Sequence, residues 1–317
     1  MTDNSTWACR LLDAAILTYD ILPMGNAVSE WAPNANTEGL LKNVGDLANP
    51  PDWFFSGDQS IDAGFVGRTS DNYAVLALRG TLPPGGQDTA AWIKDWLEDF
   101  EVGPEDWALP CDTVIGQIET GFASAAKKLW SVAEAPLAKI VDDPGNPPRG
   151  IVVCGHSKGA ALVYPVASLV EATWPGRIAR VDAYATPMTA NQSFANWYSA
   201  AGLTAKTTRY QNRYDIVPFL PVWPKFDLTG WIMKILGLSG GGNLLSDDYV
   251  HIGDLVYLAD QNGKCVEMRG QTAEDQADRD MQHALDNLDL DEIIDAHSAT
   301  GRYHTCICGS VLPKSMA

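Results

Sequence analysis

The stretch Ile151-Val-Val-Cys-Gly-His-Ser157-Lys-Gly-Ala160 decides the fold of this chain. Four β-forming residues run into Gly155-His-Ser157-Lys-Gly159, and an apolar, helix-like segment from Ala160 to Val170 follows. This is the G-x-S-x-G pattern of a nucleophile elbow, a sharp turn between a strand and a helix that carries a serine at its tip. Glycines two residues before and after the serine remove side chains that would strike the neighbouring strand or helix. The pattern therefore predicts Ser157 as a nucleophile.

A serine nucleophile needs two partner side chains. Its hydroxyl is weakly nucleophilic at neutral pH, so a base must take its proton and a carboxylate must orient the base. In elbow-containing folds the carboxylate and then a histidine follow the serine along the chain. Asp215, in Asn212-Arg-Tyr-Asp215-Ile-Val-Pro, comes just after a predicted strand and is therefore expected at the carboxyl edge of the sheet, beside the elbow. A turn or helix-cap aspartate is the alternative interpretation.

The chain has five histidines, so the base is sought by elimination. His156 lies inside the elbow, too close to the serine to complete a triad. His283 lies in an acidic, helix-like run and is expected to face solvent, whereas His251 precedes a predicted strand and is expected to make a structural hydrogen bond. His297 follows an apolar anchor and precedes small, loop-forming residues. We predict His297 as the base and keep His304 as the alternative.

Two backbone N–H groups are needed to stabilise the negative charge that develops when a serine attacks an acyl carbon. Lys158, the residue after the nucleophile, is predicted to supply one of them. The other is expected from the loop after an early strand, Leu78-Arg-Gly-Thr81, where Gly80 frees the backbone. The hydroxyl of Thr81 can add a further donor to the same oxygen.

The composition describes a chain that can bury a large core and that carries strong negative charge. Of 317 residues, 46% are hydrophobic and 20% are charged, with a formal net charge of −18. That charge argues against nucleic acid and anionic membranes as partners. No stretch is apolar over the length of a transmembrane segment, and residues 1–7 lack the basic start of a signal peptide. We expect a soluble protein, intracellular or exported by a non-classical route, and leave its oligomeric state open.

Strands and helices alternate over the middle of the chain, which predicts an α/β fold with a mainly parallel central sheet flanked by helices. We predict residues 1–60 as an N-terminal helix and irregular segment packed on a catalytic domain of residues 61–317. The predicted helices cover residues 6–19, 89–100, 117–133, 160–170, 190–201 and 274–289. The predicted strands cover residues 64–69, 73–78, 151–154, 180–185, 207–212, 254–259 and 264–268.

The segment from residue 221 to residue 248 is a candidate lid or cap insertion. It is rich in apolar side chains and contains Ser239-Gly-Gly-Gly242 after a helix-like run, a combination that favours a mobile cap over the nucleophile. A helix packed permanently on the body is the alternative. The residues predicted for the lid or acyl site are Trp223, Trp231, Met233, Ile235 and Leu236.

The six cysteines match neither the spacing of a zinc motif nor a compact disulfide framework. Cys154, inside the predicted central strand, is expected to be a buried thiol, and a pairing among Cys265, Cys306 and Cys308 is left open. The acidic residues 286–295 lack the glycine and spacing of an EF-hand, so they predict a solvated face and not a calcium site. With no dinucleotide fingerprint or P-loop, we predict no cofactor and no metal.

As a set, these stretches resemble the class 3 lipase family of α/β-hydrolases, which includes the fungal triacylglycerol lipases. Lys158 and Ala160 depart from it, because leucine and glycine are usual there. The matching stretches, in family order over residues 60–305, are Val75–Thr81 with Trp92–Asp99 (FRGT…W…D), Gly121-Phe122 (GF), Ile151–Leu162 (GHSLGGALA), Ala185-Thr-Pro187 (G-x-P), Asp215–Pro221 (DxVPxLP), His251 with Gly253 (H-x-G) and His297-Ser298 with Tyr303 (HS…Y).

The resemblance implies an α/β-hydrolase fold and a serine carboxylic-ester hydrolase of the lipase or esterase type. It implies Ser157 as nucleophile, Asp215 as orienter, His297 as base, and Thr81 with Lys158 as oxyanion donors. The implied substrate is a hydrophobic ester, with a lipid–water interface as a candidate partner. The alternatives are a short-chain or feruloyl-type carboxylesterase and, in another class, a catalytically silent hydrolase-fold binding protein.

Overall fold

Helices and strands alternate over the middle of the chain, and runs of strands flank this part. The computed structural model describes residues 4–25, 28–56, 62–82, 103–110, 112–220, 249–287, 292 and 295–312. The strands, numbered in chain order, are β1 Ile21–Gly25, β2 Val28–Trp31, β3 Asp52–Ser56, β4 Asp62–Arg68, β5 Ala74–Leu78, β6 Pro104–Leu109, β7 Thr113–Glu119, β8 Ile151–His156, β9 Ile178–Tyr184, β10 Ala190–Asn191, β11 Thr207–Asn212, β12 Tyr249–Val250, β13 Asp254–Gln261 and β14 Lys264–Arg269. The α-helices are α1 Asn4–Leu17, α2 Thr37–Gly45, α3 Thr120–Val141, α4 Lys158–Thr173, α5 Gln192–Ala200, α6 Gln271–Asn287 and α7 His304–Cys308.

The strand that leads to Ser157 lies inside a large sheet. Within the described ranges this sheet has eight strands, in the order β14-β13-β11-β9-β8-β5-β4-β3. The strands from β13 to β5 run parallel, whereas β14, β4 and β3 pair antiparallel at the two edges. Every residue of β8 is buried, as expected for a parallel strand that has helices on both faces. The predicted α/β fold with a mainly parallel sheet is confirmed.

Side chains of β8 alternate between two hydrophobic cores. Ile151 and Val153 pack in the core that contains α3, α4 and α5, whereas Val152 and Cys154 pack in the core that contains α1 and α2. This alternation follows from the two-residue period of a strand. Because helices cover both faces, the carboxyl edge of the parallel strands is the exposed position where loops can form a site. In the part of the chain that the structure describes, no helix is long and apolar enough to cross a membrane.

Residues 20–60 are more regular than predicted. They contain β1, β2, α2 and β3, and β3 extends the large sheet by pairing with β4. These elements are short and are interrupted by proline and glycine, so they lack a periodic pattern long enough to indicate a helix or strand. The predicted division between residues 1–60 and 61–317 stays a prediction.

The helix predicted to begin at Gln117 begins three residues later, at Thr120. The preceding residues form β7, which pairs with β6 and β10. In the described part of the chain these strands belong to a sheet of four strands in the order β12-β10-β7-β6, which the sequence did not indicate. The carboxylate of Glu119 accepts hydrogen bonds from the backbone N–H groups of Gly121 at 3.0 Å and Phe122 at 2.9 Å. This cap fixes the start of α3, because it satisfies N–H groups that have no partner inside the helix.

Two disulfides among the described residues tie α7 to earlier parts of the chain, and one of them is a pairing among Cys265, Cys306 and Cys308, which the sequence left open. One joins Cys9 in α1 to Cys308 in α7, and the other joins Cys265 in β14 to Cys306 in α7. The first bond links residues separated by almost the whole chain, which is why spacing in the sequence did not reveal it. Cys154 is free and buried, which confirms the predicted buried thiol.

Candidate active site

Ser157 lies at the tip of a strained turn between β8 and α4. Its φ of 59° and ψ of −127° are rarely adopted by a residue with a side chain. A Cβ atom at Gly155 would lie 2.4 Å from the carbonyl carbon of Gly159, and one at Gly159 would lie 2.2 Å from the carbonyl oxygen of Leu78. Both glycines are therefore required by close backbone approach, which is the steric reason expected for a nucleophile elbow.

The structure brings Ser157, His297 and Asp215 together. Nε2 of His297 lies 2.9 Å from Oγ of Ser157, and Nδ1 of His297 lies 3.0 Å from Oδ1 and 3.1 Å from Oδ2 of Asp215. Asp215 follows β11, and its backbone N–H donates to the carbonyl of Asn212 at 3.2 Å. All three side chains are buried. This is the geometry of a nucleophile, a base and a carboxylate that orients the base.

Two further donors hold the carboxylate of Asp215. The backbone N–H of Val217 donates to Oδ1 at 3.0 Å, and the hydroxyl of Tyr303 donates to Oδ2 at 2.7 Å. The Tyr303 oxygen also accepts the backbone N–H of Asn212 at 2.9 Å. Burial and the neighbouring Asp215 raise the pKa of Tyr303 well above its ordinary value, so its hydroxyl stays protonated and available as a donor. These contacts fix the orientation of the carboxylate toward His297.

A second chain of hydrogen bonds supports the backbone of His297. Nε2 of His156 donates to the carbonyl oxygen of His297 at 2.9 Å, and Nδ1 of His156 lies 2.8 Å from the hydroxyl of Tyr19. Burial and the nearby His297 lower the pKa of His156 well below its ordinary value, so its ring is neutral. With its proton on Nε2, the ring accepts a hydrogen bond from the Tyr19 hydroxyl at Nδ1. The N-terminal segment therefore reaches the site through Tyr19.

The loop that carries Thr81 contacts the elbow directly. A Cβ atom at Gly80 would lie 3.2 Å from Cβ of Ser157 and 2.7 Å from the carbonyl oxygen of His156, so a side chain there would displace the loop. Thr81 follows Gly80 and is half-buried. Lys158 is the first residue of α4, a position at which the backbone N–H has no partner inside the helix. Lys158 is therefore part of the elbow, and Thr81 follows the glycine that contacts the elbow.

The side chain of Lys158 is paired with a carboxylate. Its Nζ lies 2.7 Å from Oδ1 of Asp62, the first residue of β4, and the two side chains are only 20% and 10% exposed. The positive charge beside the nucleophile is therefore balanced locally. The loop that carries Gly80 and Thr81 is held by Arg79, whose buried side chain donates to the carbonyl oxygen of Ile21.

The other histidines have separate partners. His283 is exposed on α6 beside Asn287, as predicted. Burial and the charge of Arg209 lower the pKa of His251 well below its ordinary value, while a hydrogen bond to the backbone of Pro218 acts in the opposite sense. His304, the alternative base, contacts Asp13 of α1 and not Ser157.

The candidate lid lies outside the described residues. None of residues 221–248 is described. Residues 83–100, which include the predicted helix 89–100, also lie outside the described residues. The predicted lid or acyl-site residues in the first of these segments are Trp223, Trp231, Met233, Ile235 and Leu236.

Sequence reasoning assigned no role to three side chains that support the site. Tyr303 was matched only as part of a family pattern, His156 was set aside because it adjoins the serine, and Tyr19 was predicted only as part of a helix face. No local signal reveals their hydrogen bonds, because each bond joins segments that are far apart in the chain. The sequence offered one indication of such support, which is that polar residues occur close to residues predicted to be buried and catalytic.

Solved structures share this fold. The mono- and diacylglycerol lipase from Aspergillus oryzae has a TM-score of 0.59 at 23% identity, with 96% of this chain and 97% of that chain covered. The Rhizomucor miehei triacylglyceride lipase has a TM-score of 0.54 at 17% identity, with 83% of each chain covered. A triacylglycerol lipase from Penicillium expansum has a TM-score of 0.53 at 16% identity, with 86% and 85% covered. No curated protein matches the sequence significantly.

A mainly parallel sheet with a serine at a strand-to-helix elbow defines an α/β-hydrolase, and these folds agree with that class. The sequence profile described as Lipase (class 3) matches residues 75–225, from β5 through the elbow and past Asp215. Over these residues the chain is similar to the class 3 lipase family, and this match supports assigning the chain to that family of carboxylic ester hydrolases.

Proposed function

We propose that the protein hydrolyses hydrophobic acyl esters, with Ser157 as nucleophile, His297 as base and Asp215 as the residue that orients the base. One observation carries this proposal: a continuous line of hydrogen bonds joins the three side chains. The distances are 3.0 Å from Asp215 Oδ1 to His297 Nδ1 and 2.9 Å from His297 Nε2 to Ser157 Oγ. Both distances lie within the reach required for proton transfer without rearrangement.

In the first half of the reaction, Oγ of Ser157 attacks the acyl carbon while Nε2 of His297 takes the hydroxyl proton. Nδ1–H of His297 donates to Asp215, whose negative charge stabilises the imidazolium. The negatively charged oxygen of the tetrahedral intermediate accepts hydrogen bonds from the backbone N–H groups of Thr81 and Lys158, and the Thr81 hydroxyl is a further donor. His297 then protonates the leaving alcohol, which departs and leaves an acyl ester on Ser157.

In the second half, water replaces the alcohol. His297 takes a proton from water as the water oxygen attacks the acyl ester, and the same donors stabilise the second tetrahedral oxyanion. Ser157 leaves with the proton that His297 returns, and the carboxylic acid is released. No step requires a cofactor.

The preference for hydrophobic acyl groups is supported by two observations. The sequence of the candidate lid, residues 221–248, is rich in apolar side chains, and an apolar lid is suited to a hydrophobic substrate. The related folds include proteins described as triacylglycerol lipases and as a mono- and diacylglycerol lipase. We assign the lid and acyl-site role to this segment, and we infer that a lipid–water interface is a partner of the enzyme.

The disulfides support an oxidising compartment for the mature enzyme. Such bonds persist in secreted proteins and are rare in the reducing cytosol of mesophiles. Both bonds tie α7 to the rest of the chain, and α7 directly follows Tyr303, which donates to Asp215. We therefore infer that the protein functions after export.

The test is a series of initial rates on p-nitrophenyl esters from acetyl to palmitoyl. Ser157→Ala should lower kcat/KM by about 10⁵- to 10⁶-fold, while Ser131→Ala, a change at an exposed serine of α3, should retain the wild-type rate. The best acyl length separates a lipase from a short-chain esterase. Retained activity in Ser157→Ala would contradict the assigned nucleophile. If folded wild-type protein turned over no ester of this series, the result would favour a feruloyl-type esterase or a catalytically silent protein, and an aromatic ester would separate the two.

A further inference from the structure

Four side chains that take no part in the proposed reaction converge where the two ends of the chain meet. Cys9 and Asp13 lie one helical turn apart on α1, and His304 and Cys308 lie one helical turn apart on α7. Residues four apart on a helix share a face, so each helix presents a pair to the other. One potential ligand atom from each of the four side chains lies within 4.8 Å of the others. Asp13 and His304 are buried, whereas Cys9 and Cys308 are partly exposed.

The spacing of these atoms is close to that of a tetrahedral zinc site. Zinc binds thiolate sulfur at about 2.3 Å and imidazole nitrogen or carboxylate oxygen at about 2.0–2.2 Å, so its ligand atoms lie roughly 3.3–3.8 Å apart. Nε2 of His304 is 3.0 Å from Oδ1 of Asp13, and Sγ of Cys9 is 4.0 Å from Oδ2 of Asp13. Once the two sulfurs are separate thiolates, shifts of the four side chains would therefore bring the ligand atoms to the spacing of a zinc site without movement of the helices.

The orientation of His304 is an independent indication of a metal ligand. Its Nδ1 donates to the backbone carbonyl of Ser310 at 2.6 Å, which leaves Nε2 directed at Asp13. Zinc-binding histidines commonly donate their second ring N–H to a carbonyl or carboxylate, which fixes the tautomer and the ring orientation. The cluster therefore has its ligand set and one outer hydrogen bond in place.

We propose that Cys9, Asp13, His304 and Cys308 form a zinc site when the Cys9–Cys308 disulfide is reduced. A dithiol reductant supplies two electrons and two protons, the S–S bond breaks to give two thiols, and the dithiol becomes a disulfide. Zinc then binds as the two thiols release their protons and as Nε2 of His304 loses any proton it shares with Asp13. The resulting site has two thiolates, one carboxylate and one imidazole.

The same two helices would thus be joined by a metal ion before oxidation and by a covalent bond after it. Both links join α1, which packs on the sheet beneath the elbow, to α7, which follows Tyr303. A chain that is made in a reducing compartment could hold its ends together in this way until the disulfide forms. This inference does not depend on the proposed ester hydrolysis.

Cobalt substitution tests the site, because Co²⁺ replaces Zn²⁺ and reports both thiolate ligation and tetrahedral geometry in its absorption spectrum. The full-length protein is reduced with a phosphine, which leaves no competing dithiol, and is titrated with Co²⁺. We expect one tetrahedral cobalt per chain with a thiolate charge-transfer band, displaced by Zn²⁺. The oxidised protein should give no such band. Circular dichroism on the reduced protein checks that it stays folded.

The second disulfide provides the matched control. Cys265→Ser with Cys306→Ser should retain the cobalt band, whereas Cys9→Ser with Cys308→Ser should lose it. His304→Gln should lose the tetrahedral band, and Asp13→Asn gives a second variant if His304→Gln does not fold. A band that persists without Cys9 and Cys308, an octahedral spectrum, or the absence of any band in folded reduced protein would overturn the proposal.

Discussion

Two histidines seven positions apart each pair with a buried aspartate, yet their surroundings differ. His297 and His304 are both buried, and each places a ring nitrogen 3.0 Å from a carboxylate oxygen, of Asp215 and Asp13 respectively. The second nitrogen of His297 faces the hydroxyl of Ser157, whereas that of His304 donates to the carbonyl of Ser310. A His–Asp pair is therefore poised for catalysis only when its remaining nitrogen meets a group that can give up a proton.

The two pairs also differ in what they do for the protein. Burial alone would lower the pKa of His304, but its hydrogen bonds to Asp13 and Ser310 raise that pKa above its ordinary value and favour a charged, paired ring. Such a pair binds α1 to α7 as a structural contact. His297 is held by the supporting chain from Tyr19 and His156 so that Nε2 stays directed at the nucleophile. Variants at each pair should accordingly change different quantities.

The largest effect is expected at the base. His297→Ala removes the group that we propose takes the Ser157 proton, so kcat/KM should fall by about 10⁵- to 10⁶-fold. His283→Ala, at the exposed histidine of α6, is the control and should keep wild-type activity. Initial rates on the best p-nitrophenyl ester measure both. A fall of less than about tenfold in folded His297→Ala would move the base elsewhere.

The carboxylate should come next. Asp215→Asn keeps the shape of the side chain but disfavours Nδ1–H of His297 as the donor, so kcat/KM should fall by about 10⁴-fold. Asp275→Asn, on the exposed side of α6, serves as the matched change of charge. If both variants hydrolyse the ester at similar rates, Asp215 does not orient the base.

A smaller effect, on stability, is expected at the second histidine. His304→Gln removes a hydrogen bond to the buried carboxylate of Asp13, so the free energy of unfolding should fall by about 1–3 kcal/mol. Urea denaturation of the oxidised protein measures this change. Thr305→Ala, at the exposed neighbour on α7, is the comparison. Equal stability of His304→Gln and wild type would remove the structural role that distinguishes this pair from the first.

The smallest effect is expected at the hydroxyl that holds Asp215. Tyr303→Phe should lower kcat by about 5- to 30-fold with little change in KM, because about 1–2 kcal/mol of support for the carboxylate is lost. Tyr257→Phe is a matched control, since its hydroxyl donates to Asp280 at the same 2.7 Å distance, away from the triad. Both variants should lose similar stability, but only Tyr303→Phe should lose rate. Equal rates in the two would assign Tyr303 a purely structural role.

Local patterns predicted the elements around the elbow well. The strand at residues 207–212 has the predicted bounds, and the hairpins that end in β5 and β14 differ from prediction by at most two residues at each end. These segments have strong periodic patterns or clear turn residues, so local sequence decides them. The small sheet of β6, β7, β10 and β12 was missed, because two of its strands have only two residues and depend on partners far along the chain.

The sequence alone determined the elbow, because a serine at a sharp turn between a strand and a helix requires glycine two residues before and two residues after it. This requirement is local and does not depend on distant parts of the chain. It also limited the carboxylate and the base to a few residues, since those groups must follow parallel strands at one edge. Only the tertiary structure decided that Tyr303 supports Asp215, that Tyr19 and His156 support His297, and that Cys9 bonds to Cys308. Each of these contacts joins segments that are distant in sequence, and no local pattern encodes which distant polar groups meet when the two cores close around the sheet.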